Sequence, residues 1–168
     1  MIPAITPDKL AAVCQGLKER GGVGCLISGG SSLDGSVPLE GYIDAISKAK
    51  RELGLTIVVH TGLVKGDTAR RLKEAGVDAA LIDIVGSDDT VREIYHLNAV
   101  AEDYTNAMTA LERARVPFVP HVLVGIHGGK LKGEFRALQM ISEHHPAGII
   151  VIALIPVRGT PMEHVKPP

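Results

Sequence analysis

Apolar and polar positions follow two different rhythms along this chain. Five short runs, residues 23–28, 55–60, 79–85, 117–124 and 149–155, are rich in Val, Ile and Leu, and each stops at Gly, Pro or a polar residue. Runs this short and this apolar predict strands buried on both faces, as in a parallel sheet. Between them the apolar residues recur every three or four positions. Thr6-Pro7-Asp8 reads as the N-cap, first-turn proline and acidic first turn of a helix. Its apolar face is Leu10, Val13, Cys14 and Leu17, and Gly21-Gly22 ends it. Residues 38–53 set Leu39, Tyr42, Ile43, Ile46 and Leu53 along one stripe that closes at Gly54. Further helices are predicted over 66–75, after the cap Ser87-Asp88-Asp89, over 99–115 and over 131–145.

The resulting order is α-β-α-β-α-β-α-α-β-α-β. Such alternation predicts right-handed βα units and a parallel sheet. Five strands are too few to close an eight-stranded barrel. The expected fold is therefore α/β: either an open doubly wound sheet or an open, partial (β/α) TIM-type barrel of about five parallel strands. No linker or internal repeat divides the chain, so residues 1–168 are read as one domain. In either architecture the active groups gather at the carboxyl ends of the strands. Those ends are polar here: Ser28-Gly29-Gly30-Ser31, His60-Thr61-Gly62, Asp83 with Gly86-Ser87, His121 with Gly125, and Pro156 followed by Arg158-Gly159-Thr160.

Composition narrows the function classes. The 168 residues carry 18 Lys+Arg against 19 Asp+Glu, and this balance argues against a nucleic-acid or polybasic membrane binder. Three Tyr, two Phe and no Trp leave little with which to build a base-stacking platform. No apolar run approaches the roughly 18 residues of a membrane span, and the first residues lack a signal-peptide core. The two cysteines, Cys14 and Cys25, lie on apolar segments and read as core thiols. They make no disulfide framework, so a cytoplasmic setting is expected.

Strand parity places Asp83 with Leu81 and Val85, His60 with Val58, and His121 with Val119 and Leu123. One carboxylate and two imidazoles are thus expected to converge at the sheet's carboxyl edge. A bound metal there would make a lyase or aldolase of His60, Asp83 and His121, although their spacing matches no recognised metal signature and no metal ligand is assigned from it. His127 follows a strand end and is a candidate substrate contact. His144-His145 falls at a helix C-terminus and reads as a solvated cap. Gly29-Gly30 leaves main-chain atoms open to a small polar ligand. No GxGxxG, GxxxxGK[ST] or GxSxG motif supports dinucleotide, P-loop or hydrolase chemistry.

Four segments, in order, resemble the radical S-adenosylmethionine (radical SAM) enzymes of the biotin synthase and lipoyl synthase group. Cys25-Leu26-Ile27-Ser28-Gly29-Gly30 is similar to their second-strand "GGE" segment, with Ser31 in place of the glutamate. Val58-Val59-His60-Thr61-Gly62-Leu63, followed by Leu72-Lys73-Glu74-Ala75-Gly76-Val77-Asp78, resembles the third-strand region. Val119-Pro120-His121-Val122-Leu123-Val124-Gly125 with Gly133-Glu134 resembles the fifth-strand glycine motif. Leu154-Ile155-Pro156-Val157-Arg158-Gly159-Thr160-Pro161-Met162 resembles the sixth-strand ending.

The resemblance implies strands two to six of a partial (β/α)6 barrel. It implies that Ser28, Gly29 and Gly30 hold the methionyl end of S-adenosylmethionine, that Asp83 faces the ribose or substrate, and that Gly125, Ile155 and Pro156 border the adenosine. His60, His121 and His127 become substrate-side candidates. It also implies a [4Fe-4S] cluster on a CxxxCxxC loop, which two cysteines eleven positions apart cannot build. The expectation is a truncated or split radical-SAM-like protein, or a cluster-free descendant, that binds a small-molecule substrate and is inactive alone. Its partner is a cluster-bearing chain or a second copy, met along an exposed sheet edge. A non-enzymatic assembly subunit using that edge is the alternative.

Overall fold

The computed structural model describes residues 2–168. Five strands, β1 (Gly24–Ile27), β2 (Thr56–His60), β3 (Ala79–Asp83), β4 (Phe118–Val124) and β5 (Ile150–Ala153), pair in parallel in sequence order. Because each strand lies beside the previous one, right-handed crossovers carry every helix to the same side. The result is a curled half-barrel, the partial TIM-type architecture the alternation predicts. The helices are α1 (Pro7–Glu19), α2 (Ile43–Leu53), α3 (Gly66–Glu74), α4 (Asp88–Glu93), α5 (Ala101–Arg113) and α6 (Glu134–Ser142). None is long and apolar enough to cross a membrane.

Strand alternation divides the sheet into two faces. Ile57, Val59, Ala80, Ile82, Phe118 and Val122 are fully buried beneath the helices, where Ile46, Leu72, Met108, Leu111 and Ile141 meet them. The register Leu26↔Val58↔Ala79 and Asp83↔His121 puts the intervening side chains on the concave face. Both end strands have one unpaired side. On β5, Val151 is aligned with buried Val122 yet is 63% exposed, so among the described residues no helix covers that end of the sheet.

Local sequence sets most boundaries. Thr6 caps α1 by accepting from the Lys9 amide at 3.2 Å, and Ser87 caps α4 by accepting from Thr90 N–H at 3.3 Å. Gly54 ends α2 in the left-handed region at φ 62°. Two boundaries and one side-chain environment differ from expectation. The 38–53 stripe opens with a 3-10 turn, Glu40–Tyr42, before α2 begins. The helix expected over 131–145 spans only Glu134–Ser142, and its start is delayed because Gly133 takes a φ of 101°, outside helical geometry. His144 is not a solvated cap: its side chain is 7% exposed, and its Nδ1 lies 2.9 Å from Glu112 Oε2 on α5. His145, 96% exposed, fits the expectation.

One polar contact ties α2 to the sheet. Lys50 Nζ donates to both carboxylate oxygens of Asp78 at 2.7 and 2.8 Å, and Ile57 N–H donates to Asp78 Oδ2 at 2.7 Å. Burial opposes ionisation of Asp78, but these donors outweigh it and hold the carboxyl below its ordinary range. Asp78 therefore adds stability above the ordinary carboxyl value of about 3.9 and loses it as the pH falls through the lower folded value. We predict that Asp78→Asn destabilises the fold by about 1 kcal/mol at pH 7, allowing for solvent screening at a partly exposed pair. The difference from wild type should vanish in strong acid. Urea titrations across pH check this, and a deficit that does not change with pH contradicts it.

Candidate functional site

Parallel strands in one sheet have all their carboxyl ends on one rim. The paired glycines after β1, His60 at the end of β2, Asp83 at the end of β3 and Gly125 after β4 therefore share that rim. Within it, His60, Asp83 and His121 form one cluster. Asp83 Oδ1 lies 3.4 Å from His60 Nε2 and 3.3 Å from His121 Nδ1, and the imidazole centroids are 5.9 Å apart. The cause is register: Asp83 pairs with His121, and His60 pairs with Leu81, two residues before Asp83 on the same face.

The other predicted site residues fall elsewhere on the rim. Gly29 and Gly30 are exposed, and among the described residues their main chain makes no hydrogen bond to the rest of the fold. A Cβ at Gly30 would meet nothing within 4 Å, and one at Gly29 only Val37, at 3.5 Å. Ser28, Gly29 and Gly30 border a cleft of about 690 Å³ that runs between α1 and β1 and is lined by Ile5, Leu10, Leu17, Leu26 and Tyr42 among others. Gly125, at φ 78°, donates its N–H to Glu134 Oε1 at 2.8 Å and is covered by Pro168, which a Cβ there would strike at 2.6 Å. His127 stands apart from the cluster; its Nδ1 lies 3.1 Å from Thr90 Oγ1 on α4. Ile155 and Pro156 lie past the end of β5, and Ile155 is 76% exposed.

Tertiary structure adds Tyr95 and Tyr104, which the sequence reading did not single out, and gives a contact to Glu134 of the fifth-strand motif. Tyr95 and Tyr104 lie near Asp83; burial first, and then its negative charge, push both phenols well above their ordinary range. Glu134 is buried, and its free Oε2 and the free Tyr95 hydroxyl border a void of about 10 Å³, the size of one water. Nothing in the local pattern of Tyr95 or Tyr104 distinguishes them from core or helix-face residues.

A parallel half-barrel whose polar groups and open glycines share one carboxyl rim belongs to the barrel-type α/β proteins. The chain is a member of the Radical SAM superfamily, whose sequence pattern matches residues 2–132. It is 30% identical over 133 residues to a biotin synthase from Prochlorococcus marinus, covering 77% of this chain and 39% of that protein. A biotin synthase from Synechococcus elongatus is 33% identical over 116 residues, or 67% of this chain and 35% of its own. Among solved structures, methylornithine synthase superposes with a TM-score of 0.70 at 21% identity, covering 94% of this chain and 46% of that one. HydG, a maturase of the FeFe-hydrogenase, gives 0.67 at 17% identity over 96% and 39%. These two likenesses describe the fold. The chain spans less than half the length of the biotin synthases it matches.

The family implies S-adenosylmethionine and a [4Fe-4S] cluster. The thiols here do not fit the cluster. Cys14 and Cys25 are the two cysteines of the chain, and burial pushes the Cys14 thiol up to about 11 and raises Cys25 as well. A cluster needs several convergent thiolates, and these groups favour the protonated form. The rim does fit the nucleoside cofactor, since Gly29 and Gly30 present unpaired main-chain donors and acceptors with no side chain to screen them.

Proposed function

We propose that this chain is the S-adenosylmethionine-binding portion of a biotin-synthase-like radical SAM protein, and that the reducing cluster is held outside these 168 residues. The observation that carries the reading is the open Gly29-Gly30 tip, on the same rim as Asp83 and His121. In this reading the amides and carbonyls of Ser28, Gly29 and Gly30 bind the methionyl end of the cofactor. Asp83 accepts from a ribose or substrate hydroxyl, and the Ile155-Pro156 segment supplies apolar surface to the adenine. Gly125, held under Pro168, borders the adenosine only after the tail moves aside. His60 and His121 face a small-molecule substrate from the concave wall, while His127 steadies the loop after β4 against α4.

S-Adenosylmethionine supplies, when reductively cleaved, an alkyl radical able to remove hydrogen from an unactivated carbon. This chain's own residues bind and orient the cofactor and the substrate. The unpaired side of β1, with Leu26 54% exposed, and the neighbouring apolar cleft suit an added strand from a cluster-bearing chain.

Equilibrium dialysis with labelled S-adenosylmethionine tests the reading. We expect the purified chain to bind the cofactor, and Gly30→Val to weaken binding at least about tenfold, a loss of roughly 1.4 kcal/mol. We also expect no cofactor cleavage by the chain alone after anaerobic treatment with iron and sulfide. A wild-type chain that binds no S-adenosylmethionine removes the assignment, and cleavage by the chain alone removes the need for a partner. Light scattering addresses the edge: a monomer that recruits no cluster-bearing chain counts against the pairing.

A further inference from the structure

We propose that His60, Asp83 and His121 form a mononuclear site for one divalent transition-metal ion of the zinc type, open on its concave side to an oxygen or sulfur ligand. The site shares Asp83 with the proposed cofactor pocket but uses none of the paired-glycine atoms, so zinc binding by the chain alone is read out without S-adenosylmethionine. His60 and Asp83 are the last residues of β2 and β3, and His121 lies in the middle of the adjacent β4, so the sheet holds their spacing rather than a loop. Each offers one donor atom, and the three atoms lie within 4.8 Å of one another.

The distances separate this site from a simple hydrogen-bonded cluster. An imidazolium donating to a carboxylate settles at about 2.7–2.9 Å. Here the carboxylate-to-nitrogen separations are 3.4 Å and 3.3 Å, both longer. Four donors placed about 2.0–2.1 Å from a tetrahedral ion lie roughly 3.3–3.4 Å from each other. The two separations that involve Asp83 thus already match the edge of a tetrahedral site.

Burial points the same way. His121 is 9% exposed, its Nε2 has no hydrogen-bond partner, and its Nδ1 has only the long contact to Asp83. An ion bound at Nδ1 would replace that long, weak contact with a metal-ligand bond. No Lys or Arg pairs with Asp83 among the described residues; its ionic contacts are the two histidines. Two neutral imidazoles and one carboxylate leave a divalent ion with one net positive charge, which favours an anionic fourth ligand. The donor set of two His and one carboxylate suits zinc, cobalt(II) and iron(II) rather than calcium or magnesium. Leu81 and Val119 floor the site on the concave face, while the side chains of His60 and Asp83 are 23% and 29% exposed. The open positions therefore face the substrate side, where a carboxylate, hydroxyl or thiolate of a small molecule can enter.

The test uses the wild-type chain, stripped with a chelator and dialysed against zinc(II) alone. We expect one zinc per chain by mass spectrometry at micromolar free metal. Cobalt(II) in its place should give visible bands of a low-coordinate nitrogen and oxygen site without a thiolate charge-transfer band. His60→Ala and Asp83→Asn should each weaken zinc at least about tenfold. His164→Ala, at an exposed histidine, should leave it unchanged. Zinc should also protect His60 of the wild-type chain from carbethoxylation, a readout that does not depend on any variant folding. Substoichiometric zinc, a thiolate band from Cys14 and Cys25, affinity unaltered by His60→Ala in a variant that folds, or unprotected His60 each overturns the proposal. Cofactor binding is measured separately, so failure of either reading leaves the other standing.

Discussion

Phe118→Ala is expected to cost about 3–5 kcal/mol, the range for removing a buried aromatic and leaving a cavity. Phe118 begins β4, is 2% exposed, and belongs to the buried cluster on the helix side of the sheet. Its neighbour in register is Ala80, which is too small to fill the vacated volume. Its carbonyl also accepts from Ala147 N–H at 2.9 Å, so β4 fastens the chain just after α6. With domain stabilities of about 5–15 kcal/mol, such a loss leaves a measurable unfolded fraction. Urea unfolding monitored by circular dichroism reads it as a lower midpoint with an unchanged slope. A cost under about 1 kcal/mol would mean that the helix layer collapses onto the gap, and the packing described for β4 would be wrong.

Gly86→Ala is the second large effect, and it acts on the candidate site. Gly86 follows β3 three residues after Asp83 and passes directly against the start of α6. A Cβ at Gly86 would collide with the Gly133 carbonyl and come within 2.5 Å of the Ala137 amide nitrogen. Those two atoms are hydrogen-bonded to each other at 2.8 Å in the first turn of α6. The obstacle is backbone, so no side-chain rotation relieves it. We expect a loss of about 1–3 kcal/mol from the forced separation. We also expect weaker ligand binding at the rim, because α6 supplies the Glu134 carboxylate that holds Gly125 N–H. Thermal melts and dialysis on the same preparation check both. A variant with wild-type stability would show that the approach of Gly86 to α6 is looser than described.

Much of this architecture was legible in the residues. Continuous apolar runs alternating with three-to-four periodicity led to the order of helices and strands, because burial on both faces demands such runs. Thr6, Ser87 and Gly54 marked helix ends through local hydrogen bonding or left-handed geometry, which depend on a few neighbours only. The start of α6 is not visible in the sequence, because apolar spacing from residue 131 onward looks helical whereas the positive φ at Gly133 interrupts it. His144 was read as solvated because its partner, Glu112, lies 32 residues earlier and only the packing of α5 against the end of α6 brings them together.

For the site, the division follows the range of the forces involved. Alternation along each strand, a local property, determined which face Asp83, His60 and His121 would take, and the glycine-bearing segments marked the family. Distances across strands were decided by the tertiary structure, since register arises from packing the whole helix layer on one face. Only that packing placed an oxygen of Asp83 between two imidazoles, set His127 against Thr90 instead, and laid Pro168 over Gly125. These arrangements depend on contacts between residues far apart in the chain, and no periodicity or short motif records them.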